Sequence, residues 1–426
     1  MYLQYASVYY QQRVTDVQEK ITAKPGTAAA LARVVLTSVW MAGLAFASYW
    51  SIRFARADLL YRANTPGAIA RAIELDPGNA RYRAWQAELE EHEGRDPRPA
   101  LLAASVLNAR DSSIWIRLVL ETEIAGDYAR AEACLLKAAR IDRLSGPRIT
   151  LMHYYFRRGD WVQFWKWSRR ALRMSYGDAA PLFRLCWTAS QDAGVIRSRA
   201  IPDRPAVLVQ YLGFLLSEGR LEAAGPVSFD VLRFAGPDEA RMLMDYCDRL
   251  LERGTVAPAL AAWNAMCRRK LTPYPPLAPE SGSLLTNGDF AAVPLLGGFD
   301  WHIVQLADVA VARLTSPAGL QFSLSGKQAE RCELLWQHLP LVPRRVYRLR
   351  WWWRTSGMPS DAGIRWRVLE AATSQPPGEN WQPAELTFAS GEAALARLSL
   401  VSERQAGTAR PEGSLFVRNV ALEPGR

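Results

Sequence analysis

The chain has few of the residues that build metal centres and disulfide frameworks. Its 426 residues include only five cysteines and four histidines. The cysteines are odd in number, lie far apart and form no Cys-x-x-Cys pair: Cys134, Cys186, Cys247, Cys267 and Cys332. This spacing argues against a zinc site or a disulfide framework and predicts buried free thiols.

Motifs of catalysis are also missing. The sequence contains no Gly-rich phosphate loop, no Gly-x-Ser-x-Gly elbow and no His-Glu-x-x-His helix. His92 lies in "EEHEG", but no second histidine follows at the spacing of metal ligands. Nothing in the sequence sets Glu370 and Glu385 at the separation of a glycosidase pair. We therefore expect neither an enzyme nor a bound cofactor.

The overall charge is basic, with 52 Lys+Arg against 42 Asp+Glu, a net charge of +10 and a pI near 9.5. Such a charge favours anionic partners. Most of the basic residues are arginines scattered along the chain, so nucleic acid is not the expected partner. The length predicts two or three domains, and a hydrophobic content of 49% is typical of folded protein.

One apolar run is a candidate membrane span. Residues 34–52, "VVLTSVWMAGLAFASYWSI", contain no charge and are long enough to cross the hydrocarbon as a helix. Arg33 and Arg53 bracket the run, which is longer than the apolar core of a cleaved signal peptide. We predict a transmembrane helix that follows a tail of residues 1–33. The alternative is a buried first helix of the array that comes next.

Residues 57–270 alternate apolar helical segments with glycine-containing turns. Gly126 and Gly159 lie 33 residues apart (159 − 126 = 33), and Gly219 and Gly254 lie 35 apart (254 − 219 = 35). Both spacings are close to the period of about 34 residues of tetratricopeptide repeats. The pattern predicts a stack of about five helix pairs that share one continuous core.

Two segments of this array, "AIELDPGNARYR" and "GDYARAEACLLKAA", resemble the tetratricopeptide repeat family. The resemblance extends from about Thr65 to Lys270. Asp111 and Arg143 depart from it, because they stand where the family often has its closing proline. The resemblance implies a protein-binding scaffold with a concave groove for a segment of a partner protein.

The composition changes in residues 271–283, "LTPYPPLAPESGS", where four prolines end the helical pattern and predict a stiff linker. In residues 284–426, apolar and polar side chains alternate in short runs such as "GLQFSLSG", "ALARLSLV" and "SLFVRNVAL". Turn residues separate these runs, which predicts an antiparallel β-sandwich. The expected fold class is therefore multidomain, α followed by β.

The stretch "VYRLRWWWRTSG" places three tryptophans in a row among arginines. Strand geometry points one apolar set into the core: Tyr347, Leu349, Trp351 and Trp353. It points the other set outward: Arg348, Arg350, Trp352 and Arg354. In the next run, "GIRWRVLE", Trp366 faces inward while Arg365 and Arg367 face outward. We therefore predict two neighbouring strands with a basic outer face around the single indole of Trp352.

Four segments in order, "LLTNGDF", "GFDW", "LLWQHLPLVPRRVYRLRWWWRTSG" and "GSLFVRNVAL", resemble family 4/9-type carbohydrate-binding modules. These modules are jelly rolls of the galactose-binding-like class, and the resemblance extends from about Leu284 to Pro424. It implies a structural calcium ion, for which Asp289 is the candidate ligand. Arg418 stands where the closing motif usually has an aspartate, so its cation would replace the metal.

Sugar recognition uses aromatic rings that stack on pyranose faces and polar groups that orient the sugar. The candidate rings are Trp301, Trp352 and Trp381. Five arginines would pair with the carboxylates of an acidic polysaccharide: Arg348, Arg350, Arg354, Arg365 and Arg367. The alternative is that these arginines solubilise the outer face or dock the sheet on the helical array.

Together these features predict a non-catalytic scaffold with a single span in a bacterial inner membrane and its main body in the periplasm. The repeats would bind a protein partner, and the sandwich would bind polysaccharide during envelope polysaccharide synthesis or export. Basic residues on the two sides of the span are nearly balanced, so this orientation follows from the C-terminal resemblance. The alternative is an assembly factor for a membrane protein complex, in which the sandwich is only a structural cap or a protein-interaction domain.

Overall fold

A computed structural model of the protein describes residues 27–359, 362–373 and 377–425. Within these ranges, helices come first and two antiparallel sheets follow, which confirms the predicted order of α then β. The part up to Leu151 and the part from Met152 onward form two compact units. Residues 1–26 of the predicted tail lie outside the described residues.

The described helical part contains fourteen helices. In chain order they are α1 Thr27–Arg62, α2 Pro66–Leu75, α3 Ala80–His92, α4 Arg98–Leu107, α5 Ser112–Ile124, α6 Tyr128–Ile141, α7 Ser145–Arg158, α8 Trp161–Met174, α9 Ala180–Ala189, α10 Ala193–Arg199, α11 Pro205–Ser217, α12 Leu221–Leu232, α13 Pro237–Glu252 and α14 Val256–Arg268. All five cysteines of the chain are buried and free, as predicted.

The first helix carries the candidate span and also begins the helical array. From Ala30 to Arg62, α1 is long and apolar enough to cross a membrane, and its most apolar window is entirely unburied. Beyond that window, Ala57 is fully buried in a cluster with Ile69 and other residues of α2 and α3. The Nε of Arg53 donates a hydrogen bond of 2.6 Å to the carbonyl of Leu75 at the end of α2. One continuous helix therefore joins an exposed apolar segment to a packed one.

Short turns join the two helices of each pair. Gly126 and Gly159 have φ angles of 81° and 68°, in the left-handed region that favours glycine. The next residues in these turns, Asp127 and Asp160, cap the following helices. Each carboxylate accepts a hydrogen bond from the backbone N–H three residues on, at 3.1 and 3.0 Å. The glycine spacing in the sequence thus marks real reversals of the chain.

Among the described residues, ten strands follow a 3-10 turn at Pro279–Ser281. They are β1 His302–Ile303, β2 Val309–Thr315, β3 Ala318–Ser325, β4 Arg331–Pro340, β5 Val346–Ser356, β6 Ile364–Val368, β7 Ala371–Ala372, β8 Gln382–Ala389, β9 Leu395–Glu403 and β10 Glu412–Pro424. They form two five-stranded antiparallel sheets with the orders β1-β4-β9-β6-β7 and β2-β3-β10-β5-β8. We call these the first and the second sheet.

The core of the sandwich lies between the two sheets and is rich in indoles. The alternation predicted for β5 is confirmed, because its inward set is buried: Tyr347, Leu349, Trp351 and Trp353. Trp351 packs edge-on against Trp353, with ring centroids 5.2 Å apart. Trp366, from β6 in the first sheet, lies 6.0 Å from Trp351. Two of the three consecutive tryptophans therefore serve only packing.

The predicted pairing of the two arginine-rich strands is wrong. β5 pairs with β10 and β8, whereas β6 belongs to the first sheet and pairs with β9 and β7. Alternation along a strand sets which side chains face inward, but it does not set which strand lies alongside. Arg365 and Arg367 therefore lie on the opposite outer face of the sandwich from Trp352.

The last helices and the sandwich pack directly against each other. Residues 271–283, predicted as a linker, lie within the second compact unit. Trp263 of α14 is fully buried, with its ring centroid 6.2 Å from Tyr274 and 6.0 Å from Phe299. Asn264 exchanges two hydrogen bonds of 2.7 Å with the backbone of Leu277. The proline-rich segment is therefore held against α14.

The loop before β1 completes this contact. The backbone N–H of Gly298 donates to Asp248 Oδ1 of α13 at 2.5 Å. A Cβ at Gly298 would lie 2.5 Å from the Trp263 ring, and its φ of +60° also favours glycine. We call the contact formed by Asp248, Trp263, Tyr274, Gly298 and Phe299 the joint.

Candidate functional site

The outer face of the second sheet presents the indole that the strand alternation predicts. Trp352 lies midway along β5 and is 37% exposed. Its neighbours across the sheet are Arg418 on β10 and Pro383 on β8. Trp352 therefore offers part of an aromatic ring to solvent on an otherwise regular sheet.

Rings and guanidinium groups alternate on this face. The Cζ of Arg418 lies 5.7 Å from the ring centroid of Trp352 and 4.2 Å from that of Trp381. The Cζ of Arg354 lies 5.6 Å from the centroid of Trp381 and 3.9 Å from that of Phe416. Each such contact contributes about 0.5–1 kcal/mol at an exposed site, so the contacts hold the rings in fixed orientations. We call these five residues the aromatic–arginine stack.

A bulge in β10 positions Arg418 in the stack. The register of β10 against β5 shifts between Arg418 and Ala421, and Asn419 adopts a φ of 50°. The next residue, Val420, is only 4% exposed, and its N–H donates to the carbonyl of Gly288 at 2.7 Å. Bulges bend a strand and redirect its side chains. The "LLTNGDF" segment is thus hydrogen-bonded to β10 at the bulge that follows Arg418.

An open depression of about 470 Å³ lies beside the ring of Trp352. Its lining includes Arg350, Trp352, Pro383, Glu385 and Asn419. Its size falls within the range of about 300–1,000 Å³ of small-ligand sites. A flat ring next to charged and amide groups is the combination that orients a pyranose.

The charge of this face is mixed rather than purely basic. Arg350 forms an ion pair with Glu423 of β10 and lies opposite Glu385 of β8. Arg348 lies opposite Glu423 and is exposed. The sequence of β5 alone does not indicate these carboxylates, because they lie on β8 and β10. The same alternation applied to "AELTFA" and "VALEP" places Glu385 and Glu423 outward and would have found them.

Trp301 does not belong to this face, contrary to expectation. It is fully buried, and its Nε1 donates to the carbonyl of Asn287 at 3.0 Å. Its ring packs against Phe290 and Trp366, with centroids 5.4 and 5.9 Å away. A ring without exposed surface has no face for a sugar. "GFDW" lies in a loop, where no strand alternation indicates which way a side chain points.

Arg365 and Arg367 are also separated from the site, because they lie on the first sheet. Arg367 is paired with Glu403 at 2.6 Å, and Arg365 lies opposite Val401 of β9. Both side chains are half-buried. Of the predicted site residues, the structure brings together one group on the second sheet: Trp352, Trp381, Arg348, Arg350 and Arg354.

Asp289, the calcium ligand implied by the resemblance, is not part of a cluster of metal-binding side chains among the described residues. Asp289 is exposed, and its Oδ1 accepts a hydrogen bond of 3.1 Å from the N–H of Ala291. The described residues contain no group of three or more His, Cys, Asp or Glu side chains placed to hold a metal ion. Calcium in proteins takes about 6–8 oxygen ligands, so this carboxylate does not form a site by itself. The guanidinium of Arg418 lies over the indoles of the stack.

A second aromatic cluster lies on the outer face of the first sheet, and the sequence did not reveal it. The ring of His302 stacks on Trp336 with a centroid distance of 3.7 Å, and the Cζ of Arg397 lies 3.8 Å from the Trp336 centroid. His338 packs edge-on at 5.0 Å. Burial lowers the pKa of His302 and of His338 to about 4. His302 and Arg397 already cover the Trp336 ring. This cluster therefore offers a ligand less free ring surface than the aromatic–arginine stack does.

The comparisons with known proteins concern the fold of each half. Neither a protein-family model nor a curated protein sequence matches the chain. Among solved structures, a family 4 carbohydrate-binding module shares 14% identity with a TM-score of 0.27, and the match covers 33% of this chain and 99% of the module. PilF of Pseudomonas aeruginosa shares 19% identity with a TM-score of 0.26, over 51% of this chain and 90% of its own.

A xylan-binding domain of family 22 from Paenibacillus barcinonensis shares 11% identity with a TM-score of 0.24, over 34% of this chain and 95% of its own. A tetratricopeptide repeat protein with a peptide-binding site shares 13% identity with a TM-score of 0.25, over 48% and 94%. The matched structures are thus tetratricopeptide repeat proteins and carbohydrate-binding modules, and each match covers part of this chain.

Proposed function

We propose that the protein is a non-catalytic scaffold anchored in a membrane by α1. In this proposal the helical array binds a protein partner and the sandwich binds polysaccharide at the depression beside Trp352. We place the protein in a bacterial inner membrane with its main body in the periplasm, where it serves envelope polysaccharide synthesis or export.

The observation that carries the polysaccharide part is the aromatic–arginine stack. Trp352 is exposed at the edge of a depression of about 470 Å³, and its orientation is held by Arg418. A ring fixed before the ligand arrives loses little side-chain entropy on binding. Arg348 is exposed and has no ion pair among the described residues, so it is free to meet a carboxylate of an acidic glycan.

The membrane part of the proposal rests on α1. Its exposed apolar side chains include Leu36, Trp40, Leu44 and Phe46, each at least 59% exposed. In water such a surface would be costly, at roughly 25 cal/mol for each Å² of apolar area. A bilayer removes that cost, and the packed end of α1 then holds the array at the membrane surface.

A second candidate function is that of an assembly factor in which the sandwich only caps the array. The joint favours it, because Trp263 of α14 and Phe299 of the sandwich share one buried cluster. A terminal repeat needs such a cover for its apolar face. Under this alternative the stack would be a solvated outer face with no ligand.

Binding of the full-length protein in detergent micelles to soluble polysaccharides separates the two functions. Affinity electrophoresis in gels containing alginate, a polyuronate, or hydroxyethylcellulose, a neutral glucan, gives the dissociation constants. We expect Trp352→Ala to weaken alginate binding about tenfold, since one stacked ring contributes about 1.4 kcal/mol. Arg348→Gln should weaken binding of alginate and leave that of the neutral glucan unchanged.

The matched control is Trp161→Ala on α8, which removes an indole that is 46% exposed and lies outside the sandwich. It should bind as the parent protein does. Parent protein that migrates freely in both gels, or a Trp352→Ala variant with undiminished affinity, would contradict the polysaccharide part and leave the capping function.

A further inference from the structure

A cavity of about 580 Å³ opens in the helical array at the level where the turns of successive helix pairs line up. Its lining comes from the end of α9, from α10, from the middle of α11, from the α11–α12 turn, from α12 and from the residue after α13. The polar and charged residues that carry the argument are Trp187, Tyr211, Arg220 and Arg253. The apolar lining includes Ala193, Leu221, Pro226 and Val227. All of these residues belong to the second compact unit.

Two side chains around this cavity have buried donors without a hydrogen-bond acceptor: the hydroxyl of Tyr211 and the Nε of Arg220. The Tyr211 oxygen itself accepts from the side chain of Trp187. Trp187 is 5% and Tyr211 1% exposed. A buried polar group left unpaired costs about 1–3 kcal/mol. Two such donors around one cavity indicate that something else supplies the acceptors.

The charge at the cavity is also unbalanced, because Arg197, Arg220 and Arg253 line it against the single carboxylate of Glu222. Arg197, which lines it too, is neutralised by Asp203 and Asp230 at 2.5 and 2.6 Å. Arg220 forms no ion pair among the described residues, and its Cζ lies 4.0 Å from the Trp187 ring centroid. An acceptor with negative charge would therefore meet an unused guanidinium.

The turn that carries Arg220 differs from the turns at Gly126 and Gly159. Asp127 and Asp160 follow Gly126 and Gly159, and their carboxylates cap α6 and α8. Arg220 follows Gly219 in the same position, and α12 has no side-chain cap. The first N–H groups of α12 are thus without a side-chain acceptor, and the positive end of this helix faces the cavity lining.

We propose that this cavity binds a carboxylate attached to a small apolar group. Arg220 and the Tyr211 hydroxyl hold the carboxylate, and the aliphatic lining of α12 holds the apolar group. This chemistry fits a free organic acid as well as the C-terminal residue of a partner chain. The site lies in the array, so it does not depend on the polysaccharide face.

Titration calorimetry of the full-length protein with N-acetyl-leucine and N-acetyl-leucinamide tests the proposal. The two probes differ in charge and have nearly the same size. We expect saturable binding of the acid and at least about tenfold weaker binding of the amide, since a charge-assisted hydrogen bond is worth about 1.5–3 kcal/mol. Equal binding of the two probes, or no binding of the acid, would overturn the proposal.

Variants locate the site. Arg220→Gln and Tyr211→Phe should each weaken binding of the acid about tenfold. The controls Arg241→Gln and Tyr176→Phe change exposed side chains outside the cavity and should bind as the parent does. Parent-like binding by Arg220→Gln would exclude this cavity.

A longer probe, N-acetyl-alanyl-alanyl-leucine with a free C-terminus, distinguishes the two sources of the carboxylate. Tighter binding than that of N-acetyl-leucine indicates a chain end, and equal binding indicates a free acid. Both results uphold the site. Failure of both acids in the parent protein overturns it, whatever the alginate experiment gives.

Discussion

At the scale of single residues, tryptophan side chains occupy three kinds of environment in the sandwich. Trp351, Trp353 and Trp301 are buried in the sandwich core, whereas Trp352 keeps 37% of its surface exposed. Trp336 lies outside the core, but Arg397 and His302 cover its ring. The role of an indole is therefore decided by the direction in which it points and by the side chains that cover its ring.

Asp248 in the joint should destabilise the folded protein at neutral pH. Burial, opposed by the N–H of Gly298, raises the pKa of Asp248 from 3.8 to about 6. The folded state then holds the proton more tightly than the unfolded state, so this residue lowers the free energy of unfolding as pH rises from about 4 to above 6. Asp248→Asn keeps an acceptor and removes the charge. We expect it to raise the free energy of unfolding at pH 7 by up to about 3 kcal/mol.

Urea denaturation of the parent and the variant at pH 7 and pH 4 measures this difference. At pH 4 the two proteins should be equally stable, because Asp248 is then protonated in the folded state. His302 and His338, whose pKa values burial lowers to about 4, destabilise both proteins alike on acidification and cancel in the comparison. The control Asp238→Asn removes an exposed charge from the same helix and should show no such dependence on pH. A variant less stable than the parent at pH 7 would show that the carboxylate charge is needed.

At the scale of elements, the periodicity of the sequence correctly predicts whether a segment is a helix or a strand and which side chains face the core. It does not predict which strands pair with each other. The alternation of "VYRLRWWWRTSG" correctly gives the buried and exposed sides of β5. β5 belongs to the second sheet and β6 to the first. The alternation within the two strands does not show that they lie in different sheets. The glycine spacing gives the turns at Gly126 and Gly159. It gives no sign of the cavity at Arg220, because side chains from α9 to α12 and Arg253 line that cavity together.

The α1 helix should lose its membrane association when a charge enters its apolar run. Leu44 lies near the middle of the run and is 59% exposed. An arginine at the centre of a membrane helix costs about 2.5–3.5 kcal/mol on insertion. We expect Leu44→Arg to shift the protein from the carbonate-washed membrane fraction to the soluble or aggregated fraction.

The matched control for this experiment is Leu59→Arg. Leu59 is 68% exposed on the same helix, but it lies beyond the apolar run and beside the packed end of α1. An arginine there remains in water, so this variant should stay in the membrane fraction. Equal fractionation of the two variants would count against a span at residues 34–52.

At the scale of the whole molecule, the joint makes the sandwich a continuation of the last helix pair. Trp263 is buried between the helices and the sandwich, and Asn264 holds the proline-rich segment through Leu277. Sequence composition predicts a linker in residues 271–283 because prolines exclude a helix. Composition alone does not show that the proline-rich segment packs against α14, because that contact depends on residues of another segment of the chain. A ligand held at Trp352 is therefore held at a fixed distance from the last repeat.

The sandwich should consequently be more stable with its two helices than without them. We expect a fragment of residues 237–426, which includes α13 and α14, to unfold at a higher urea concentration than a fragment of residues 282–426. The longer fragment keeps the contacts of Trp263 with Tyr274 and Phe299. Trp263→Ala in the longer fragment should cost about 3–5 kcal/mol, as for other buried tryptophans, whereas Arg241→Ala on the exposed side of α13 should cost almost nothing. Equal urea midpoints for the two fragments would mean that the sandwich folds without the joint, and the helices would then be neighbours rather than part of its core.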